Sequence, residues 1–189
     1  MKILDKHFGR AGNRMFQSAF LYAYARKNGI DWYFQDPKWF EGYENEIKKM
    51  FEIKGDPLDY VSIHVRRNSN PSNPDEPKYS ENPFYVNLIQ TDYYRKAMDR
   101  FLNEKFFIFS DDIHWCKDYF GKKHDYSYGT EEEDFNTMVR CKHNIIANSS
   151  FSWWAAYLNL NPNKKVIYPL KWYADGIERT KCPKEWIGV

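Results

Sequence analysis

The chain has 189 residues, enough for one ample domain or two small halves sharing a cleft. Hydrophobic residues make up 42% and charged residues 29%, which predicts a packed globular core. The 28 basic and 26 acidic residues leave a net charge of +2, too balanced for a nucleic-acid-binding footprint.

Aromatic residues are frequent at 19%, a density that suits a site gripping sugars or planar bases as well as a core filled with large rings. The three cysteines, Cys116, Cys141 and Cys182, are widely spaced and form no C-x-x-C pair. They read as reduced thiols of a cytoplasmic protein. The histidines form no H-E-x-x-H, and no apolar run is long enough for a transmembrane helix. The N-terminus MKILDKHFGR lacks the apolar core of a signal peptide.

In chain order, Met15, Phe16, Ala19, Phe20 and Ala23 recur at helical spacing, predicting a helix over Asn13–Asn28 stopped by Gly29. Residues 31–35 read as a short strand, and a helix is expected near Glu44–Phe51. Tyr60–Val65 alternates and is rich in β-formers, so it reads as a strand. A loop with Pro71, Pro74, Pro77 and Pro83 follows. A helix near Asp92–Asn103 would carry Tyr94, Met98, Phe101 and Leu102 on one face. Residues 106–109 (FFIF) read as a buried strand, with a helix after Ser110 and a short strand within residues 124–128. Thr130 and Glu133 have capping-box spacing for a helix reaching Lys142. Asn144–Ala147 is an apolar strand, Phe151–Leu160 a helix ended by Asn161-Pro162, and Val166–Tyr168 a last strand.

Residues 60–169 thus alternate strand and helix five strands deep. That pattern predicts an α/β fold with a parallel sheet covered by helices. Ligands of such sheets bind outside the carboxyl ends of the strands. His64 and Arg66 lie two apart at one such end and share a face. A guanidinium there can clamp phosphate oxygens or pair with a carboxylate. The FFIF strand runs into Ser110-Asp111-Asp112. Adjacent aspartates do not make the D-x-D of metal-dependent glycosyltransferases, so no metal is expected, and Ser110 reads as a helix cap. The next strand end carries Asn148-Ser149-Ser150 before a helix. Small hydroxyl residues at a helix start can offer unpaired backbone N–H groups to an anion, or can simply cap the helix through a serine side chain. The same three residues match a glycosylation sequon, which is discounted without a signal peptide.

At these residues the sequence resembles glycosyltransferase family 11, the α-1,2-fucosyltransferases. The segments that carry the resemblance are GRAGNRMFQSA (Gly9–Ala19), IHVRR (Ile63–Arg67), FSDDIHWCK (Phe109–Lys117), CKHNIIANSSFSWWAAYL (Cys141–Leu158) and VIYPLKWY (Val166–Tyr173), followed by Pro183-Lys184-Glu185-Trp186. The resemblance implies a GT-B-like fold: a Rossmann-like donor-binding domain over residues 59–189 and an N-terminal acceptor-side α/β lobe over residues 1–58. It implies metal-independent transfer of L-fucose, with inversion, from GDP-β-L-fucose to a glycan hydroxyl, with a galactoside as acceptor. GDP-fucose would be a substrate; no cofactor is expected.

By the same resemblance Arg66 would hold the donor β-phosphate and serve catalysis. Ser149, Ser150 and Phe151 would hold the diphosphate at a helix start. His64 and Asp134 would lie near the guanine, whose N1–H and N2–H a carboxylate can accept together. Gly12 and Asn13 map to a glycine loop facing the donor, and Asp112 joins the donor-binding set. Two departures from the family pattern stand out. Ser69 occupies the aspartate position of H-x-R-R-G-D, which leaves the general base unassigned. The 50 residues between Asn13 and His64 are fewer than the family has, so the acceptor lobe reads as abbreviated, and a homo-oligomer would be one way to complete the cleft. Transfer from another GDP-sugar, or glycan or nucleotide binding without catalysis, are the alternatives.

Overall fold

The computed structural model describes residues 42–67, 84–178 and 180–189, together with Met15, Ala19, Ala23 and Lys27, which are helical. The chain divides into two compact units, Met1–Lys54 and Gly55–Val189. The strand expected at residues 31–35, the Pro-rich loop, Gly12, Asn13 and Ser69 lie outside the described residues.

In the first unit Met15, Ala19, Ala23 and Lys27 are spaced one helical turn apart, with Ala19 and Ala23 fully buried and Lys27 exposed. Helix α1 (Glu44–Met50) sits where a helix was expected. Its first turn carries Glu44 and Glu46 and its last turn Lys48 and Lys49, an arrangement that complements the helix dipole. Ile47 is its buried residue.

The second unit is built on six strands: β1 (Leu58–Val65), β2 (Phe106–Ser110), β3 (Asp125–Tyr126), β4 (Cys141–Ile145), β5 (Val166–Tyr168) and β6 (Ile187–Gly188). They form one all-parallel sheet in the order β3-β2-β1-β4-β5-β6. Val61, Ile63, Val65, Ile108, Phe109, Ile145 and Ile167 are buried to within 1%. Parallel strands covered on both faces need such unbroken apolar character. The helices are α2 (Tyr93–Met98), α3 (Ile113–Phe120), α4 (Glu131–Arg140) and α5 (Ser150–Leu158).

Strand order 3-2-1-4-5-6 is that of Rossmann-like nucleotide-binding sheets. From β1 the chain winds outward through β2 to β3, then returns to β4 on the other side. Right-handed crossovers therefore put α2 and α3 on one face, α4 and α5 on the other. The connections that leave β1 and β4 run to opposite faces at this reversal, which is where sheets of this order bind their ligands. The second unit is thus α/β and Rossmann-like, consistent with the donor domain of a GT-B-type fold.

Several boundaries differ from expectation for identifiable reasons. Helix α4 begins at the predicted capping box: Thr130 accepts from the Glu133 N–H and the Glu133 carboxylate accepts from the Thr130 N–H. It stops at Arg140 rather than Lys142, because Cys141 turns extended and pairs with Leu58 of β1. Strand β4 accordingly starts three residues earlier than read. Helix α5 runs Ser150–Leu158 rather than Phe151–Leu160. Asn159 leaves the helix because its side-chain amide donates to the Cys141 carbonyl at 2.7 Å and to Asn144 Oδ1 at 2.8 Å. The Lys164 ammonium takes up the carbonyls of Ala156 at 2.7 Å and Asn159 at 2.5 Å, so a cation closes the negative end of α5. Helix α2 is shorter than predicted, and turns follow Met98. Leu102, expected on one face with Tyr94 and Phe101, is 78% exposed, whereas those two are buried. Strand β6, which is two residues long and lies at the sheet edge, had no recognisable pattern.

Candidate active site

The carboxyl ends of β1 and β4 carry residues that the sequence singled out. In register, Val65 of β1 stands beside Ser110 of β2, and Ile63 beside Ile145 of β4. Arg66, Asp111 and Asn148 therefore all emerge from the same edge of the sheet.

Arg66 and Arg67 face different partners. The Arg66 Nη1 donates to Asp111 Oδ2 at 2.6 Å, with the two side chains 13% and 8% exposed. The other Asp111 oxygen, Oδ1, accepts from the Arg67 backbone N–H at 2.8 Å. One carboxylate thus fixes both the guanidinium and the chain direction at the end of β1. Arg67 lies with its guanidinium carbon 4.1 Å from the centroid of the Trp115 ring, and its Nε donates to Asp112 Oδ2 at 3.2 Å. A cation stacked on an indole and held by a carboxylate is a fixed structural part.

Asp112 is committed on both sides. Its Oδ1 accepts from the Trp115 N–H at 3.3 Å, capping α3, while Oδ2 takes Arg67. The cap of α3 is thus Asp112 and not Ser110. The Ser110 hydroxyl instead accepts from the Asp112 N–H at 3.0 Å. This gives Asp112 the part of positioning Arg67.

After β4, Ser149 is the N-cap of α5 and its hydroxyl makes no capping bond to the helix. Ser152, one turn in, turns its hydroxyl back to accept from the Ala147 N–H at 3.2 Å and to donate to the Ser149 carbonyl at 3.3 Å. The loop before α5 is thereby locked from within. A helix start of this kind, beside a guanidinium, can hold a diphosphate.

His64 is buried at the end of β1, and its backbone carbonyl accepts from the Tyr94 hydroxyl at 3.0 Å. Its ring lies 5.4 Å from that of Phe151, in the first turn of α5. Phe151 in turn meets Phe135 edge-on at 5.4 Å, next to Asp134 in the first turn of α4. His64, Phe151 and the start of α4 are therefore linked by a continuous line of rings. The Asp134 carboxylate accepts a short hydrogen bond from the Ser127 hydroxyl through Oδ1. Burial pushes its pKa up to about 6, against the lowering effect of the Ser127 bond.

Among the described site residues, the structure brings His64 to Phe151 and sets Arg66 against Asp111; Gly12 and Asn13 lie outside the described residues. Sequence reasoning gave no site role to three contributors, of which Asn148 was noted only as part of a strand end and a sequon. Asp111 was read only as a neighbour of a helix start. The Tyr93 hydroxyl, buried, donates towards the carbonyls of Ile146 at 2.6 Å and Ile167 at 3.1 Å, tying the ends of β4 and β5 together. Asn148, 3% exposed, donates from its amide nitrogen to the carbonyls of Val86 at 2.9 Å and Trp172 at 3.1 Å. That burial gives the sequon match a structural meaning. The FSDD adjacency was the only available signal for Asp111, and none pointed to Tyr93.

Comparison with known proteins agrees with this geometry. The model of Glycosyl transferase family 11 matches residues 14–189. The O-antigen biosynthesis glycosyltransferase WbnK of Escherichia coli is 29% identical over 185 residues, covering 83% of this chain and 59% of that protein. The alpha-1,2-colitosyltransferase of Escherichia coli is 31% identical over 185 residues, covering 83% of this chain and 61% of that protein. The galactoside alpha-(1,2)-fucosyltransferase 1 of Rattus norvegicus is 29% identical over 151 residues, 70% of this chain and 38% of that protein. This chain spans about three fifths of the length of the two bacterial relatives. No solved structure matches. The family match leaves out only the residues before position 14, and the chain belongs to glycosyl transferase family 11.

Proposed function

We propose that this protein transfers L-fucose from GDP-β-L-fucose to a hydroxyl of a galactoside glycan, with inversion at the sugar C1. The observation that supports the reading is that Arg66 follows β1 and the helix start Ser149–Phe151 follows β4, the two strands that flank the sheet's reversal point. In this fold that point takes nucleotides.

In the reaction the acceptor oxygen bonds to C1 as the C1–O bond to the diphosphate breaks. The bonding electrons pass to the leaving GDP, and the hydroxyl proton goes to water on the acceptor side, since inversion puts the departing phosphate on the opposite face of C1. Negative charge grows on the diphosphate throughout. Arg66 and the N–H groups of the first turn of α5 stabilise it, and stabilisation that grows in the transition state is what accelerates a reaction. A cation of this kind can stand where other enzymes use a divalent metal. Asp134 is the carboxylate assigned to guanine in this reading, and the His64–Phe151–Phe135 rings connect the start of α4 to the start of α5.

A second reading keeps the same donor site and replaces fucose by another sugar. It is favoured by the relative named as a colitosyltransferase, which matches over as much of this chain as the other bacterial relative does. Its three free thiols suit either enzyme to a reducing, cytoplasmic setting.

The test is calorimetry with GDP followed by mass analysis of products from GDP-L-fucose or GDP-mannose with lactose as acceptor. GDP binding and a fucosylated product are expected. Binding without any product would favour a binding module, and absence of GDP binding would overturn the reading.

A further inference from the structure

A second constellation stands at the same edge of the sheet, beyond β4 and β5. Residues 84–86 and 172–174 form a short antiparallel ladder. Val86 N–H donates to the Trp172 carbonyl and Ala174 N–H to the Phe84 carbonyl, both at 3.0 Å, with Tyr85 bridged to Tyr173. Its side chains bring three rings together. Phe84 lies 5.0 Å from Tyr85 and 5.1 Å from Tyr173, and Tyr85 lies 5.6 Å from Tyr173. Phe84 is 43% exposed, a large apolar ring left partly open. The Tyr173 hydroxyl shares a hydrogen bond with Thr180 Oγ1 at 2.9 Å, which fixes that ring at its far end.

The ladder is tied to the candidate active site through one side chain. Asn148 sits in the loop between β4 and α5, one residue before the Ser149 cap. Its amide nitrogen holds the ladder on both sides, through the Val86 and Trp172 carbonyls. The ring cluster therefore has a fixed offset from the helix start.

We propose that the Phe84–Tyr85–Tyr173 cluster is a sugar platform that seats the pyranose ring of the acceptor glycan beside the phosphate-binding start of α5. The face of an aromatic ring is electron-rich and attracts the positive edges of its neighbours. A pyranose presents C–H bonds on its flat side and hydroxyls around its rim, so an exposed ring grips the first and leaves the second for chemistry. A galactose residue, with one hydroxyl axial, presents an unusually continuous C–H face. Placement separates this surface from the base. Asp134 opens a helix on the face carrying α4 and α5, while residues 84–87 lead into α2 on the opposite face. A diphosphate at the start of α5 would thus have guanosine on one side and the acceptor on the other. This inference rests on the proposed transfer reaction and names its acceptor surface.

The test uses lactose as the probe and saturation-transfer NMR on the full chain saturated with GDP, which calorimetry monitors separately. Saturation of aromatic protons should reach the galactose ring protons. Phe84→Ala should lower lactose affinity roughly tenfold, equivalent to losing about one ring contact, with GDP affinity and melting temperature unchanged. Phe84→Trp should keep lactose binding. Lactose affinity that is unchanged in Phe84→Ala, or no transfer to lactose in the wild type, overturns the platform. A parallel loss of GDP affinity in Phe84→Ala also overturns it, by making the cluster a base-stacking surface. Failure of the wild type to bind GDP instead counts against the donor-site reading and is read on a separate instrument.

Discussion

Asp111 holds Arg66 at 2.6 Å through one oxygen and the backbone of Arg67 at 2.8 Å through the other. The contact to the guanidinium is made through Nη1. Structural and functional demands on Arg66 can therefore be separated. Arg66→Ala strands a largely buried carboxylate and should cost about 3 kcal/mol of stability. It should also lower transfer at least 10–100-fold, because a charge-assisted bond to the leaving group is worth about 1.5–3 kcal/mol. Adding Asp111→Asn should recover much of the stability and none of the transfer. Chemical melts and initial rates on the three variants check this, and recovery of transfer in the double variant would refute the role given to Arg66.

Asp134 gives two pH effects of opposite sign. Its folded-state pKa, about 6, stands above the ordinary value of 3.8. Between these values the folded chain holds more protons at this site than the unfolded chain, so its contribution to stability falls as pH rises from about 4 to about 6. Guanine recognition needs the ionised form. GDP affinity should therefore fall as pH drops below about 6, approaching tenfold per pH unit. Asp134→Asn should remove the stability slope and weaken GDP at neutral pH. Denaturant melts and GDP titrations between pH 4.5 and 7.5 check both, and GDP affinity that stays flat with pH would remove Asp134 from the base site.

Much of this architecture was legible in the chain. The alternating segment Tyr60–Val65 and the short β-rich runs Phe106–Phe109 and Val166–Tyr168 read as strands, and Thr130 with Glu133 spelled out the start of α4. Sequence failed where the deciding contacts are distant. The end of α5 depends on Asn159 reaching Cys141 and Asn144, and the start of β4 depends on pairing with Leu58. Neither partner is local, so no propensity encodes them. The candidate site divides the same way. Arg66 and Ser149 stood out by chemistry and position. The tie from Arg66 to Asp111 crosses 45 positions, and that from Asn148 to Val86 crosses 62, so only the fold reveals them.

Asn148 provides a purely structural prediction. Its side chain is buried and makes two hydrogen bonds to main-chain carbonyls on different segments. Removing it takes the amide donor from the Val86 carbonyl, while the Trp172 carbonyl keeps the Val86 N–H. Asn148→Ala should destabilise the fold by about 1–3 kcal/mol, the cost of one buried group losing its partner. Asn148→Asp should fare no better, because a carboxylate cannot donate to a carbonyl. Acceptor binding should weaken in both variants more than GDP binding, since the ladder loses its tether while the helix start remains. Equal weakening of both ligands would mean that Asn148 serves only general stability.

The two aspartates after β2 lead to a prediction about metal. All four of their carboxylate oxygens are engaged: Asp111 by Arg66 and the Arg67 N–H, Asp112 by the Trp115 N–H and Arg67 Nε. A divalent ion at this position would have to displace two arginine contacts, and each charge-assisted bond lost costs about 1.5–3 kcal/mol. Its own charge would then repel the guanidinium groups it displaced. Transfer should accordingly survive an excess of EDTA and gain nothing from added Mg²⁺ or Mn²⁺. Initial rates with and without chelator are the measurement. A rate that collapses in EDTA and returns with Mn²⁺ would mean that the leaving diphosphate is neutralised by a metal rather than by Arg66 and the first turn of α5.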